Sequence, residues 1–290
     1  MLYYFLYLLS LLPWRVLYFF SDGLYGFIYY VLGYRRKVVM SNLAIAFPEK
    51  TERERTRIAK DFYHNFIDTF FEIIKFLSLS DKDFSNRVSG NFDLLDRIYE
   101  TGQNVQLHSG HFFNIEYFNW AIPKYTRFPF LGVYMPVSNK AVNKIIFEMR
   151  RKYNTIMISA GEFKTTFHTY AKGRYALGLA ADQTPGSPDG GLWLHFFGKL
   201  TPFVAGPEKS ARINNTAVVW VHYYKVKRGY YHADFSLLTT EPQQYGRGEL
   251  TKEFVRKLEE SIRKKPANYL WSHRRWKHPF KEAYRKLVID

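Results

Sequence analysis

The sequence contains no cysteine in 290 residues. That absence excludes a disulfide scaffold, a thiol nucleophile, an iron–sulfur cluster and any zinc site built on cysteine, and it leaves the redox compartment open. Acidic residues are also scarce, with 26 Asp and Glu against 42 Lys and Arg, a net charge of +16. No P-loop, zinc-finger spacing or RNP-type aromatic motif accompanies that charge, so nothing beside it points to nucleic acid. Charge of either sign is nearly missing from the first 34 residues, where Arg15 and Asp22 cancel, so the whole excess lies in residues 35–290. The opening MLYYFLYLLSLL has no basic flank before it and no small-residue cleavage site after it, which argues against a cleaved signal peptide. Hydrophobic residues make up 47% of the chain and charged residues 23%, ample material for a folded core of one large domain or two small ones.

What the chain has in excess is aromatic: 26 Phe, 23 Tyr and 6 Trp, with 13 of these 55 in residues 1–34. At ~1.5 Å per residue, the uncharged stretch 1–14 covers only ~21 Å, short of a ~30 Å hydrocarbon core. Extending it to Leu32 gives the length but brings in Pro13, Arg15 and Asp22. So many Tyr and Trp beside Leu suit an interfacial belt better than a buried aromatic helix, so residues 1–34 are read as a membrane anchor or interfacial segment. Arg35, Arg36 and Lys37 follow at once and would put the C-terminal side in the cytoplasm if the segment spans. Near the other end, IRKKPANYLWSHRRWKHPFK carries Arg263, Lys264, Lys265, Arg274, Arg275, Lys277 and Lys281 with no acid among them. A hydrophobic anchor followed by a basic body suits a protein held against an anionic membrane surface. Arg274 and Arg275 are the candidates for steering an acidic partner or a lipid headgroup.

Beyond the anchor, residues 35–290 read as a single domain, with a helical lead-in over 35–100 and an α/β core over 101–290. Thr51 and Glu54 form a capping box, and Ile58, Phe62, Phe66, Phe70, Ile74 and Leu77 recur at helical spacing, which predicts one long helix from Thr51 to Ser78. From about residue 104 short strands alternate with helices: NVQLHS, FPFLGVY, TIMIS and RYALGLAA as strands, with FFNIEYFNWAI, NKAVNKIIFEMRRKY and EFKTTFHTYAK as the helices between them. After the loop TPGSPDGG come AVVWVHYYKV and YHADFSLLT, then a closing helix LTKEFVRKLEESIRKK. The pattern predicts an α/β fold with a mixed, mostly parallel central sheet flanked by helices and preceded by the N-terminal segment.

Open α/β sheets place their ligands at the carboxyl ends of the strands. The passage after NVQLHS, Gly110-His111-Phe112-Phe113-Asn114-Ile115-Glu116, is therefore the candidate site. If Gly110 and His111 form the loop before the helix, Glu116 one turn in reaches back to the imidazole, fixes its tautomer and leaves the other nitrogen to take a proton from a hydroxyl. A metal site on His108, His111 and Glu116 is the weaker alternative, because no H-E-x-x-H helix and no second ligand cluster accompanies it.

HSGHFFNIEYF resembles the His-x4-Asp/Glu block of the lipid A late acyltransferases, the lauroyl and myristoyl transferases of Gram-negative inner membranes. NLAIAFPEK, EMRRKYN, LAADQTPG, FFGKLTPFVAGPEKSAR and PANYLWSHRRWK are similar to that family's further blocks, in family order, from about residue 15 to residue 278. The resemblance implies an enzyme at the cytoplasmic face of the bacterial inner membrane that needs no metal or organic cofactor. It implies an acyl carrier protein as donor, a hydroxyl on a lipid A precursor as acceptor and an anionic membrane surface as support. It also implies His111 as base, Glu116 as its orienter and Asn114 within the same block. Arg150 would lie at the acyl carbonyl or a headgroup phosphate, and Asp182 with Gln183 would hold the active-site loop. The chain departs from the family at Tyr134-Met135-Pro136, where an arginine is usual in place of Met135, which points to a less phosphorylated acceptor. Two other readings stand beside this one: acyl transfer to another lipid or glycolipid, and a non-catalytic membrane-tethered binding protein.

Overall fold

The computed structural model describes residues 1–289. The chain opens with helices α1 (Leu2–Leu11), α2 (Trp14–Gly26), continued by a π-helical turn over Phe27–Leu32, and α3 (Arg36–Ala46). Helix α4 (Glu52–Phe76) starts where the sequence predicts, with Thr51 and Glu54 closing both bonds of the capping box. Short elements α5 (Asp81–Ser85), β1 (Val88–Gly90) and α6 (Asp93–Glu100) lead into the core. There β2 (Val105–Ser109), α7 (Ile115–Tyr125), β3 (Phe130–Tyr134), α8 (Lys140–Arg150), β4 (Ile156–Ser159), α9 (Phe163–Tyr170) and β5 (Ala176–Ala180) alternate as expected. A hairpin of β6 (Gly191–Phe196) and β7 (Lys199–Val204), helix α10 (Gly206–Asn214), the strand pair β8 (Ala217–Lys227) and β9 (Tyr230–Thr239), and α11 (Glu249–Lys264) complete the order.

Seven strands form one sheet in the order β1-β9-β8-β2-β5-β3-β4. Only β8 and β9 pair antiparallel, and every other neighbour is parallel. Central strand β2 is buried at all five positions, as a parallel strand covered on both faces must be. Helix α11 covers one face with Leu250, Phe254, Leu258 and Ile262, spaced one turn apart. The hairpin β6–β7 lies outside this sheet, in a stretch where the sequence reading names no strand.

One expectation needs correction. Helix α4 does not bury the predicted stripe: Phe70 is exposed, and the inward face carries Ala59, Phe62, Tyr63, Ile67 and Phe76 together with Asp68 and Glu72. Hydrophobic periodicity missed this face because polar partners from other elements satisfy its two carboxylates. The N-terminal segment contains no single helix long and apolar enough to cross a membrane; only the pair Leu2–Leu11 and Trp14–Leu32 passes together, bent by 114° at the break.

One face of this segment packs against the rest of the chain. Leu17, Ser21 and Tyr25, with Tyr29 in the π-turn, point inward at intervals of four, and Tyr25 and Tyr29 share a core cluster with α4 and β2 residues. Burying those three apolar side chains is worth roughly 1.5–3 kcal/mol each. Asp68 of α4 accepts from Ser21 Oγ at 2.7 Å and Lys225 Nζ at 2.7 Å, and Arg228 bridges it to Asp22. The opposite face of the segment, Phe19, Phe20, Leu24, Phe27, Val31 and Leu32, stays exposed. Of the 24 exposed large hydrophobic side chains among the described residues, 17 fall in residues 1–34, so the exposure is concentrated there.

Candidate functional site

Strands β2, β3 and β5 end side by side, and a cavity of about 460 Å³ opens at their carboxyl ends. Its apolar wall includes Leu107, Ile115, Phe118, Phe130, Val133 and Met157, while His111, Glu116, Arg150 and Gln183 are among its polar groups. Gly132 of β3 pairs in register with Gly178 of β5, and both line the space. A Cβ on Gly132 would sit 3.2 Å from Met157 Sδ, so a side chain here intrudes on the cavity.

The loop after β2 holds His111. Gly110 lets it turn close under α11, since a Cβ there would lie 2.6 Å from Leu258 Cδ1. Segment 266–275 then binds the loop from the other side: Leu270 N–H donates to the His111 carbonyl at 3.0 Å, and Phe113 N–H to the Asn268 carbonyl at 2.9 Å. The same segment holds the loop after β5. Thr184 N–H donates to His273 Nε2 at 3.1 Å and Thr184 Oγ1 to the Arg275 carbonyl at 2.9 Å. Asn42 of α3 in turn donates to the Trp271 and His273 carbonyls at 2.8 and 2.7 Å. Residues from three distant stretches of chain thus fix two loops against each other.

That clamp brings Asp182 to His111. The imidazole Nδ1 lies 2.6 Å from Asp182 Oδ1. Asp182 is buried and also hydrogen-bonds Tyr269. An ionised carboxylate only accepts, so Nδ1 carries the proton and Nε2 is the basic nitrogen available to the cavity. Burial alone would lower the imidazole pKa, but the charge and hydrogen bond of Asp182 outweigh it and the net shift is upward. Burial pushes Asp182 up, and the facing imidazole more than reverses this, so its net shift is downward.

Glu116 does not meet the imidazole, contrary to the expectation from spacing. Its two oxygens accept from Arg150 Nε and Nη2 at 2.5–3.1 Å, a two-pronged ion pair with the carboxylate buried. Asn114 also differs from its expected substrate-binding place. It is 1% exposed and N-caps α7, its Oδ1 accepting from Glu116 N–H at 3.0 Å while Nδ2 donates to Glu72 at 2.9 Å. Asp182 binds His111 rather than lining the cavity, which Gln183 does. Arg274 is exposed as a steering residue must be, but Arg275 is 1% exposed: its Nη2 donates to the Pro202 carbonyl at 3.0 Å, and Phe203 lies 4.1 Å below the guanidinium. It braces the clamp and cannot meet a partner. His108 lies on the other face of β2 against Gln106, with burial pushing its pKa down to about 4, so His108, His111 and Glu116 do not converge on a metal.

Sequence reasoning missed Tyr269, Thr184 and Glu72. Tyr269 and Thr184 stand within two of the quoted blocks, and no spacing rule joins either to His111. The family model described as bacterial lipid A biosynthesis acyltransferase matches residues 1–278. No curated protein matches the chain.

Proposed function

Because the chain belongs to the bacterial lipid A biosynthesis acyltransferase family, we propose that it moves a fatty acyl chain from an acyl carrier protein thioester to a hydroxyl of a lipid A precursor. The observation that carries this reading is the His111–Asp182 pair at an apolar cavity on the strand ends. Nε2 of His111 takes the acceptor's hydroxyl proton as its oxygen attacks the thioester carbonyl. Asp182 holds the tautomer and stabilises the imidazolium that forms. The remaining N–H groups of Arg150 and the amide of Gln183, both on the cavity wall, are the donors for the developing oxyanion. The carbon–sulfur bond then breaks, and the imidazolium returns its proton to the leaving thiolate. The apolar wall takes the acyl chain, and the net charge of +16 favours an acidic carrier and an anionic headgroup.

Mass spectrometry of membrane lipids from cells with and without the protein tests this directly. A gain of one acyl group on a lipid A precursor is the expected result; a gain on a different lipid moves the acceptor, and no gain on any lipid refutes the reading. Gly132→Val adds a side chain to the cavity wall and is expected to shift the added chain toward shorter lengths. Each methylene left outside forfeits about 0.8 kcal/mol, roughly fourfold in kcat/KM. An unchanged chain-length profile would remove this cavity as the acyl site.

We place the protein at the cytoplasmic face of the inner membrane, with the exposed face of α2 and its π-turn lying in the interface rather than spanning. The docking of the other face on α4 and the ion pairs of Asp22 and Asp68 support a flat placement. Phe20→Glu with Phe27→Glu should leave the fold intact, since both side chains are exposed, and should weaken binding to anionic vesicles at least about tenfold. Sedimentation with vesicles checks this. High salt should release the double variant more completely than the unmodified protein, because only the screened electrostatic attraction remains. Equal binding by both proteins would exclude α2 from the interface.

A further inference from the structure

Glu72 lies near the C-terminal end of α4 with no exposure at all, and the mechanism above does not use it. Three donors from three elements converge on its carboxylate: Tyr18 Oη of α2 at 3.0 Å on Oε1, and Asn114 Nδ2 at 2.9 Å with Tyr231 Oη of β9 at 2.6 Å on Oε2. Lys225, whose charge acts on it, is bound to Asp68 and Asn65 instead. Burial pushes the Glu72 pKa up. A buried carboxylate without a cation of its own is costly, and a stability role alone would be served as well by apolar side chains in place of Glu72 and its three donors together.

We propose that Glu72 is a positioning residue for acyl transfer, tying the docked N-terminal helix to the loop that carries His111. The role turns on which way the Asn114 amide must face. Glu116 N–H needs an acceptor, so Asn114 turns its amide oxygen to that N–H and must present Nδ2 to an acceptor, which Glu72 Oε2 supplies. The amide oxygen is the one that caps α7. The cap sets the first turn of α7, which places Glu116 and its partner Arg150 on the cavity wall and ends the loop begun at His111. Tyr18 adds α2 to the same carboxylate, so the helix that we place at the membrane surface also completes the support of the site. The role in catalysis rests on the acyl-transfer reading; the Glu72–Asn114–Glu116 chain of hydrogen bonds does not.

A donor–acceptor swap tests it. Glu72→Gln keeps the shape but leaves one acceptor oxygen where there were two, and where its N–H faces Asn114 the amide there turns over and releases the cap. With a long-chain acyl thioester of acyl carrier protein and a detergent-solubilised lipid A precursor, kcat is expected to fall roughly ten- to a hundredfold, with KM for the thioester nearly unchanged. Asn114→Asp alone sets two carboxylates together and should be at least as damaging. Combined, the two changes restore a complementary pair. The amide introduced at position 72 keeps its oxygen for Tyr18 and turns its nitrogen toward the Tyr231 hydroxyl and the carboxylate introduced at position 114. That carboxylate still caps Glu116 with its other oxygen. The double variant should recover most of the lost kcat, and Tyr18→Phe should lower kcat less than Glu72→Gln does. Hydrogen exchange over residues 111–117 reads the same contact without any turnover: faster in Glu72→Gln, restored in the double variant. Wild-type kcat and exchange in Glu72→Gln, or a folded double variant that recovers neither, would overturn the proposal. A wild-type protein that transfers no acyl chain while the exchange pattern holds would overturn the acyl-transfer reading instead.

Discussion

Replacing Asp182 by Asn is expected to cut acyl transfer by about 10³–10⁴-fold while leaving the fold in place, because an amide can stabilise the wrong imidazole tautomer and carries no charge for the imidazolium. His111→Ala removes the base itself, typically worth ~10²–10⁴-fold, and the double variant should lose little more than the worse single one, since the two act as a unit. The pH dependence gives the sharper test. The base works neutral, and the Asp182 charge raises its pKa above the usual 6.5, so kcat/KM should rise with pH through a limb above that value. With Asn at 182 the raising charge is gone while the burial that lowers the pKa remains. The limb of the residual activity should therefore move to lower pH, below 6.5. Steady-state transfer of a labelled acyl chain across pH 5–9 measures both effects. An Asp182→Asn enzyme at the wild-type rate, or one whose acid limb moves upward, would remove Asp182 from the mechanism.

What the sequence made legible follows from the range over which its signals act. Strand and helix alternation over 104–181 and the capping box at Thr51 are local, and both appear where the residues put them. His111 at the end of β2 was equally legible, because strand-end placement depends on fold class and not on contacts. Its orienter was not. Glu116 is five residues away and Asp182 is 71, and only the pairing of β2 with β5 brings the loop after β5 beside the loop after β2. Arg275 shows the same limit from the other side. A cationic run reads as a surface, yet this guanidinium lies under the clamp against Phe203 while Arg274 next to it faces out. The polar face of α4 escaped for a third reason: Asp68 and Glu72 are buried because α2, β8 and β9 supply their partners, and periodicity counts apolar residues only.

Glu116→Ala is expected to act chiefly on stability, which separates its role from that of Asp182. Its carboxylate is buried and holds a guanidinium that keeps only 22% of its side-chain surface. Removing one partner of such a pair leaves the other charge uncompensated, at a cost of about 3–5 kcal/mol. At roughly 2 °C per kcal/mol for a chain of this size, the melting temperature should fall by about 6–10 °C. Activity should fall as well, because Arg150 loses its fixed place on the cavity wall. The surviving activity should keep its acid limb where the wild type has it, since Asp182 still faces Nδ1. Removing the charge from both partners, Glu116→Gln with Arg150→Met, should recover much of the stability and none of the activity if Arg150 meets the substrate. Thermal melts and pH–rate profiles on the same four proteins decide the matter. A limb that moves with Glu116→Ala and stays fixed with Asp182→Asn would return the orienting role to Glu116, and a melting temperature unchanged in Glu116→Ala would show that the pair with Arg150 holds nothing in place.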